Sequence, residues 1–305
     1  KDWQREIQSG RFPVQNHGVF FSFASESDSG MYEAIIRGFD IMTIPKTSFM
    51  AWINADDVLM TGTAAFVAAV ENQFARDQVS WLGGAVAIVR DDMIILSHDR
   101  PISTRALRNG LSDGIHWPFV QQEGTFFRKW LWDAARPLEN LLPLRLAGDW
   151  NLWRLFSHHA QLVQAPMALG GFRLRDQQLS TRHRDKYFGE IDAIVPRAER
   201  TRALKEMTED GQILRRKIRG KFPANILSVY EDSAYEQARS SYRSIFGADP
   251  PKPQRPYTGG ESRLFEGKPS SAAATTRQKL AEFGTHSAGF SIFDHGWQFP
   301  AVTEQ

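Results

Sequence analysis

The sequence predicts an α/β domain: a mostly parallel sheet flanked by helices, followed by a helical C-terminal appendage and a linker. Three observations lead there. Short apolar runs alternate with helix-spaced segments over the first 100 residues, the order that builds a sheet covered by helices. The run Phe49-Met50-Ala51-Trp52-Ile53 is apolar without alternation, as in a strand buried on both faces. It ends in Asn54-Ala55-Asp56-Asp57, and in open α/β sheets ligands collect at the carboxyl ends of strands.

Taken in order, residues 1–9 read as the end of a helix and Val19 to Phe23 as a short strand. Met31, Ala34, Ile35 and Phe39 have helical spacing. The strand at 49–53 is followed by a helix from Thr61 or Thr63, either able to cap it, to about Arg76, with Phe66, Val67, Val70 and Phe74 on one side. Strand-like stretches lie at 79–89 and 93–97, and Asp91-Asp92 between them reads as a turn. A polar loop at 99–117 leads to Gln121–Trp132, and a helix spans about 149–160 after Gly148. Residues 185–241 are charged and helical in pattern, with breaks at Gly211 and Gly220. Residues 249–275 have linker composition, with Pro-Pro-Lys-Pro, Gly-Gly and Ser-Ser-Ala-Ala-Ala-Thr-Thr. The expected division is therefore 1–184, 185–248 and 249–305.

Composition narrows the function. The net charge of +2 gives no global field for nucleic acid. With no cysteine there is no disulfide, thiolate metal site or cysteine nucleophile, and a reducing compartment fits. No apolar run approaches the roughly 20 residues that span a bilayer.

Two adjacent carboxylates at the end of a buried strand are costly unless a cation or hydrogen bonds compensate them. Mg2+ or Mn2+ suits Asp56 and Asp57, being bound by few protein carboxylates plus water and substrate phosphates. An Asp pair that merely caps the next helix is the competing reading.

The order of segments favours the first. Ser25-Glu26-Ser27-Asp28-Ser29-Gly30-Met31-Tyr32-Glu33-Ala34 and Trp52-Ile53-Asn54-Ala55-Asp56-Asp57 resemble family 2 glycosyltransferases of the GT-A fold. So do Gln121-Gln122-Glu123-Gly124-Thr125-Phe126-Phe127-Arg128-Lys129, Leu146-Ala147-Gly148-Asp149-Trp150-Asn151-Leu152-Trp153, and Gly171-Phe172-Arg173 through Ser180. The match runs over roughly residues 15–182.

The resemblance implies a transferase that uses a nucleotide-sugar donor, a glycan or glycolipid acceptor and Mn2+ or Mg2+. It implies a cytoplasmic protein, peripheral to the inner face of a membrane. Asp28 matches the acid facing the nucleoside, with Gly30 admitting close backbone approach. Asp57 matches the direct metal ligand, and Asp56 a second metal or ribose contact. Asp149 matches the catalytic base of an inverting transfer; at a helix N-terminus its ionised form would be favoured. Arg173, with Gln177, Gln178 and Ser180, matches a segment returning over the donor diphosphate.

Some readings stay open. Glu123 binds sugar hydroxyls, shares the acid–base work or forms a structural pair with an arginine; Arg128 pairs with phosphate or a carboxylate. Trp130, Trp132, Trp150 and Trp153 stack on sugars or fill the core, the core being the stronger reading at helical spacing. His158-His159 reads as a solvated helix end. Ile36 and Arg37 stand where family members often carry Asn and Lys, and the family's opening donor-binding strand is expected to precede residue 1. The rivals are a nucleotidyltransferase and a non-catalytic domain of the same fold that binds sugar or protein.

Overall fold

A computed structural model describes residues 24–76, 78–90, 93–96, 102–175, 183–210, 213–217 and 226–232, with residues 5, 9, 221, 243, 245 and 247. The expected strand at 19–23, the Asp91-Asp92 turn, Gln177, Gln178, Ser180 and the linker at 249–275 lie outside the described residues. So does the helix at 1–9, apart from Arg5 and Ser9.

Helix α1 (Met31–Asp40) buries Tyr32, Ile36 and Phe39, one stripe of a 3.6-residue period. Ile36 is thus a core residue, and exposed Arg37 donates to Ser27 O at 3.0 Å. Strands β1 (Phe49–Met50) and β2 (Val58–Leu59) flank the acidic turn. In α2 (Thr63–Gln73) Phe66 and Val70 face the core. Its N-cap is Gly62 in a left-handed conformation (φ 89°), and neither threonine caps: the Thr63 hydroxyl donates to Leu169 O at 2.6 Å.

Next come β3 (Trp81–Gly83), β4 (Ala87–Arg90), β5 (Met93–Leu96) and α3 (Thr104–Arg108). β6 (Thr125–Arg128) leads into α4 (Lys129–Ala134), α5 (Pro137–Asn140) and α6 (Gly148–Phe156). β7 (Val163–Gln164) and β8 (Gly170–Arg173) precede α7 (Arg184–Ile194) and α8 (Arg197–Asp210). β9 (Ile213–Lys217) and β10 (Ser228–Asp232) close the described chain.

The α/β class holds, but the mostly parallel sheet does not. One sheet has the order β1-β6-β3-β7-β10-β9 and a second β2-β8-β4-β5. Among the described residues, β3–β7 and β4–β8 are parallel and the other ladders antiparallel. The physical reason lies in how β6 enters. Its chain arrives at the edge where β1 and β3 finish, so it must run back between them, pairing Phe127 with both Met50 and Trp81. β4 and β5 are separated by two residues, too few for a parallel crossover.

The region from 185 onward, expected to be helical, contains two helices and then two strands that extend the larger sheet beyond β7. Leu227 and Val229 are buried there against Val163 and Leu82, so packing overrides the charged pattern before them.

The core explains the tryptophans. Trp132, Trp150 and Trp153 are 2–3% exposed, so they fill the core rather than offer a face to a sugar. Trp153 stacks on Trp52 at 5.7 Å and on Trp81 at 5.8 Å, joining α6 to both sides of β6. Trp130 also packs against this cluster.

Arg128 is likewise structural. Fully buried, it lies 3.8 Å over the Phe49 ring, donates to Val79 O and Thr47 O, and pairs with Glu71 of α2, not with Glu123. Arg128→Met would strand those carbonyls and Glu71. We expect a loss of roughly 2–4 kcal/mol in urea denaturation, with the remaining folded protein unaltered at the acidic turn.

Helices α7 and α8 are locked to the core through buried charge. Asp113 accepts from His116 Nδ1 at 2.7 Å and pairs with Arg200 at 3.1 Å; Arg200 also pairs with Asp192 at 2.8 Å. His158 and His159 are exposed, as a solvated helix end. Among the described residues no helix is long and apolar enough to cross a membrane.

Candidate functional site

Strands β1, β3 and β7 run in one direction, and their carboxyl ends share an edge with the start of β6. Two acidic segments meet at that edge. One is the turn 54–57, closed by Asp57 N donating to Asn54 O at 3.1 Å. Asp57 Oδ2 accepts from Asn54 Nδ2 at 2.9 Å and Oδ1 from the Arg173 amide at 2.8 Å. The Arg173 guanidinium holds the Asp56 carbonyl at 2.8 Å, and Arg175 lies 3.7 Å from the Asp56 carboxylate. The β2–β8 ladder, Val58 opposite Gly171, sets these contacts.

The other segment is Gln122–Gly124, a single 3-10 turn ahead of β6. Gln121 brackets Ala87 through both backbone groups at 2.7 Å, and Gln122 reaches Trp52 O. The strand β8 crosses so closely that a Cβ on Gly170 would sit 2.0 Å from Glu123 O. A glycine within a strand marks such an approach. Glu123 is therefore fixed and 5% exposed.

Burial pushes the Glu123 carboxyl up to about 8. A bond to its own amide opposes this, while the charge of Asp57, a hydrogen bond to it and the charge of Asp149 add to the rise. Glu123 thus feels the charge of both Asp57 and Asp149.

Asp149 lies in the first turn of α6 and is half-buried. Its Oδ1 accepts from Trp150 N at 2.8 Å. The helix-end amides were expected to favour its ionised form, and they do act that way, but burial outweighs them. Its pKa is raised to about 6, with the charge of Glu190 adding to the rise. Gly148 is required, because a Cβ there would lie 2.4 Å from the Tyr32 ring. The Tyr32 hydroxyl accepts from Gly148 N at 2.7 Å and Asp149 N at 3.3 Å and donates to Leu146 O at 3.1 Å.

Asp28 stands apart from the acids. It is exposed and accepts from Gly30 N at 2.9 Å, within its own turn. Among the described residues no hydrogen bond or ion pair joins it to Asp56 or Asp57. The turn is instead tied to the Asp149 loop, because Arg145 donates to Ser29 O and fills the space beside Gly30 (φ 149°).

No group of three or more acidic, histidine or cysteine side chains among the described residues is arranged to hold a metal ion. Asp56 and Asp57 supply the hard oxygens that Mg2+ or Mn2+ accepts when phosphates complete the sphere. A cation at Asp57 would draw the Glu123 proton off, since the Asp57 charge is among the causes that hold it there.

Tyr32, Arg145, Gly170 and Glu190 were missed in the sequence. Gly170-Gly171 ahead of an apolar residue was the available signal. Tyr32 sits in an apolar helical stripe and Glu190 among solvated charges, where nothing distinguishes them.

The shift at Glu123 has a consequence for stability. The folded chain keeps that proton to about pH 8, whereas the unfolded chain releases it near 4.5. Over that interval the unfolded state binds fewer protons, so stability falls as pH rises. We expect Glu123→Gln to exceed the wild type at pH 8 by on the order of a few kcal/mol, the difference vanishing below pH 4. Parallel stability curves in urea across that range would count against a buried, proton-holding Glu123.

No protein-family model, curated protein or solved structure matches this chain.

Proposed function

We propose that the protein is an inverting, metal-dependent glycosyltransferase with a GT-A-like catalytic domain. It moves a sugar from a nucleotide-sugar to a hydroxyl of a glycan or glycolipid acceptor, in the cytoplasm at the inner face of a membrane. The observation that carries this reading is that Glu123, held at the sheet edge by β8, feels the charges of both Asp57 and Asp149. Separate motifs with no sequence proximity supply the three.

Asp149 takes the proton of the acceptor hydroxyl as its oxygen bonds to the anomeric carbon. The bond from that carbon to the diphosphate breaks on the opposite face, and its electron pair leaves with the nucleotide. Asp57 and Asp56 would hold the Mn2+ or Mg2+ ion, whose charge would offset that of the diphosphate. Arg173 lends a cation beside this pair, Glu123 lines the acceptor side, and exposed Asp28 offers a carboxylate to the nucleoside.

Incubation with a panel of nucleotide-sugars and Mn2+ or Mg2+ tests the reading. Release of free nucleotide supports it; binding without any release favours a non-catalytic sugar-binding domain. One observation favours that second reading: both Asp57 oxygens already accept a protein hydrogen bond.

A further inference from the structure

The backbone that delivers Asp149 to the site lies in neither sheet, and its amides are held by side chains. Glu190, on α7, turns both carboxylate oxygens on it: Oε1 accepts from Arg145 N at 2.9 Å, and Oε2 from Leu146 N at 3.0 Å and Ala147 N at 2.8 Å. Tyr32 takes the next two amides and Asp149 itself takes that of Trp150. Every amide from 145 to 150 therefore has a side-chain acceptor before the helical ladder begins with Asn151 N bonding Ala147 O at 3.0 Å.

An ordinary N-cap satisfies one or two free amides from the residue just ahead of the helix. Here the acceptor comes from a helix more than 40 residues later in the chain. A carboxylate bonded to three amides is a charge-assisted contact, stronger than neutral bonds and directional. It fixes the 145–147 backbone, and Tyr32 fixes 148–149.

We infer that Glu190 is a positioning residue that sets where Asp149 stands, making α7 part of the site's machinery. The inference rests on Asp149 as the base. A base displaced by about 1 Å loses rate without losing substrate affinity.

Three variants test it: Glu190→Ala, Glu190→Gln and Glu190→Asp. In Glu190→Ala the amides 145–147 should exchange with deuterium at least about tenfold faster. Its kcat should fall roughly ten- to a hundredfold, with the donor KM within about twofold of the wild type. Glu190→Gln replaces one acceptor oxygen with a donor and should behave much like Glu190→Ala. Glu190→Asp keeps both oxygens on a shorter stem and should recover part of the protection and the rate together.

Unchanged exchange in Glu190→Ala overturns the clamp. Faster exchange with kcat within about twofold of wild type overturns the positioning role. A wild-type protein that turns over no nucleotide-sugar sinks the transferase reading by that result alone, and the exchange data then still decide the clamp.

Discussion

Asp149→Asn is expected to lower turnover by a factor of about 100 or more while leaving the fold and donor binding intact, the usual scale for losing a general base. The amide keeps the shape and can still accept from Trp150 N, so helix α6 should start where it does now. What it cannot do is take a proton. The pH profile gives an independent check. With its pKa raised to about 6 by burial, Asp149 is ionised above that value and protonated below it. Wild-type kcat should therefore fall as pH drops through about 6, and the residual rate of Asp149→Asn should lack that limb. If the variant transfers sugar at a near-normal rate, the base is elsewhere and Glu123 is the next carboxylate to test. Retention of anomeric configuration in the product would exclude a single displacement altogether.

Asp57→Ala is expected to abolish turnover and to make donor binding indifferent to Mn2+ or Mg2+. Two effects have to be separated. The carboxylate also accepts from Asn54 and from the Arg173 amide, so alanine loosens the turn as well as removing a ligand. Asp57→Asn retains an oxygen for the Arg173 amide, and Asn54 can turn its own amide to present an oxygen to the new NH2, so this variant removes chiefly the charge. Calorimetry of nucleotide-sugar binding with and without the ion, run on both variants, measures the difference. Near-normal turnover in Asp57→Asn would mean that the residue only closes a turn.

How much of this was legible in the sequence differs from element to element. Helix α1, the start of α6 after Gly148 and the short strands after Gln78 follow from spacing and breakers alone, since local periodicity sets them. Strand direction does not. β6 reads like any apolar run, and its reversal depends on which edge the preceding loop reaches. β10 carries one short run of β-branched and aromatic residues after a long charged stretch, and packing against β7 makes it a strand. For the site, Asp57, Glu123 and Asp149 were each identifiable by residue type and context. The place of Glu123 near both aspartates depends on β8 passing over it through Gly170, a contact between backbones 47 residues apart. The supports of Asp149 were hidden for a related reason. A glutamate bonded to backbone amides leaves no complementary side chain to find, and one on a charged helix looks like any solvated one.

The indole stack at the centre of the molecule has an optical consequence. Trp52 faces Trp153 with 18° between the ring planes, and Trp153 faces Trp81 with 25°. Trp52 is also the residue whose carbonyl Gln122 holds, two positions ahead of Asn54. Indoles this close couple their electronic transitions, so their circular dichroism depends on ring orientation. Any ligand that shifts the 54–57 turn or the 122–124 turn pulls on the outermost ring of the stack. The protein thus carries an intrinsic chromophore wired to both acidic segments, and ligand occupancy becomes readable in the near ultraviolet without a label.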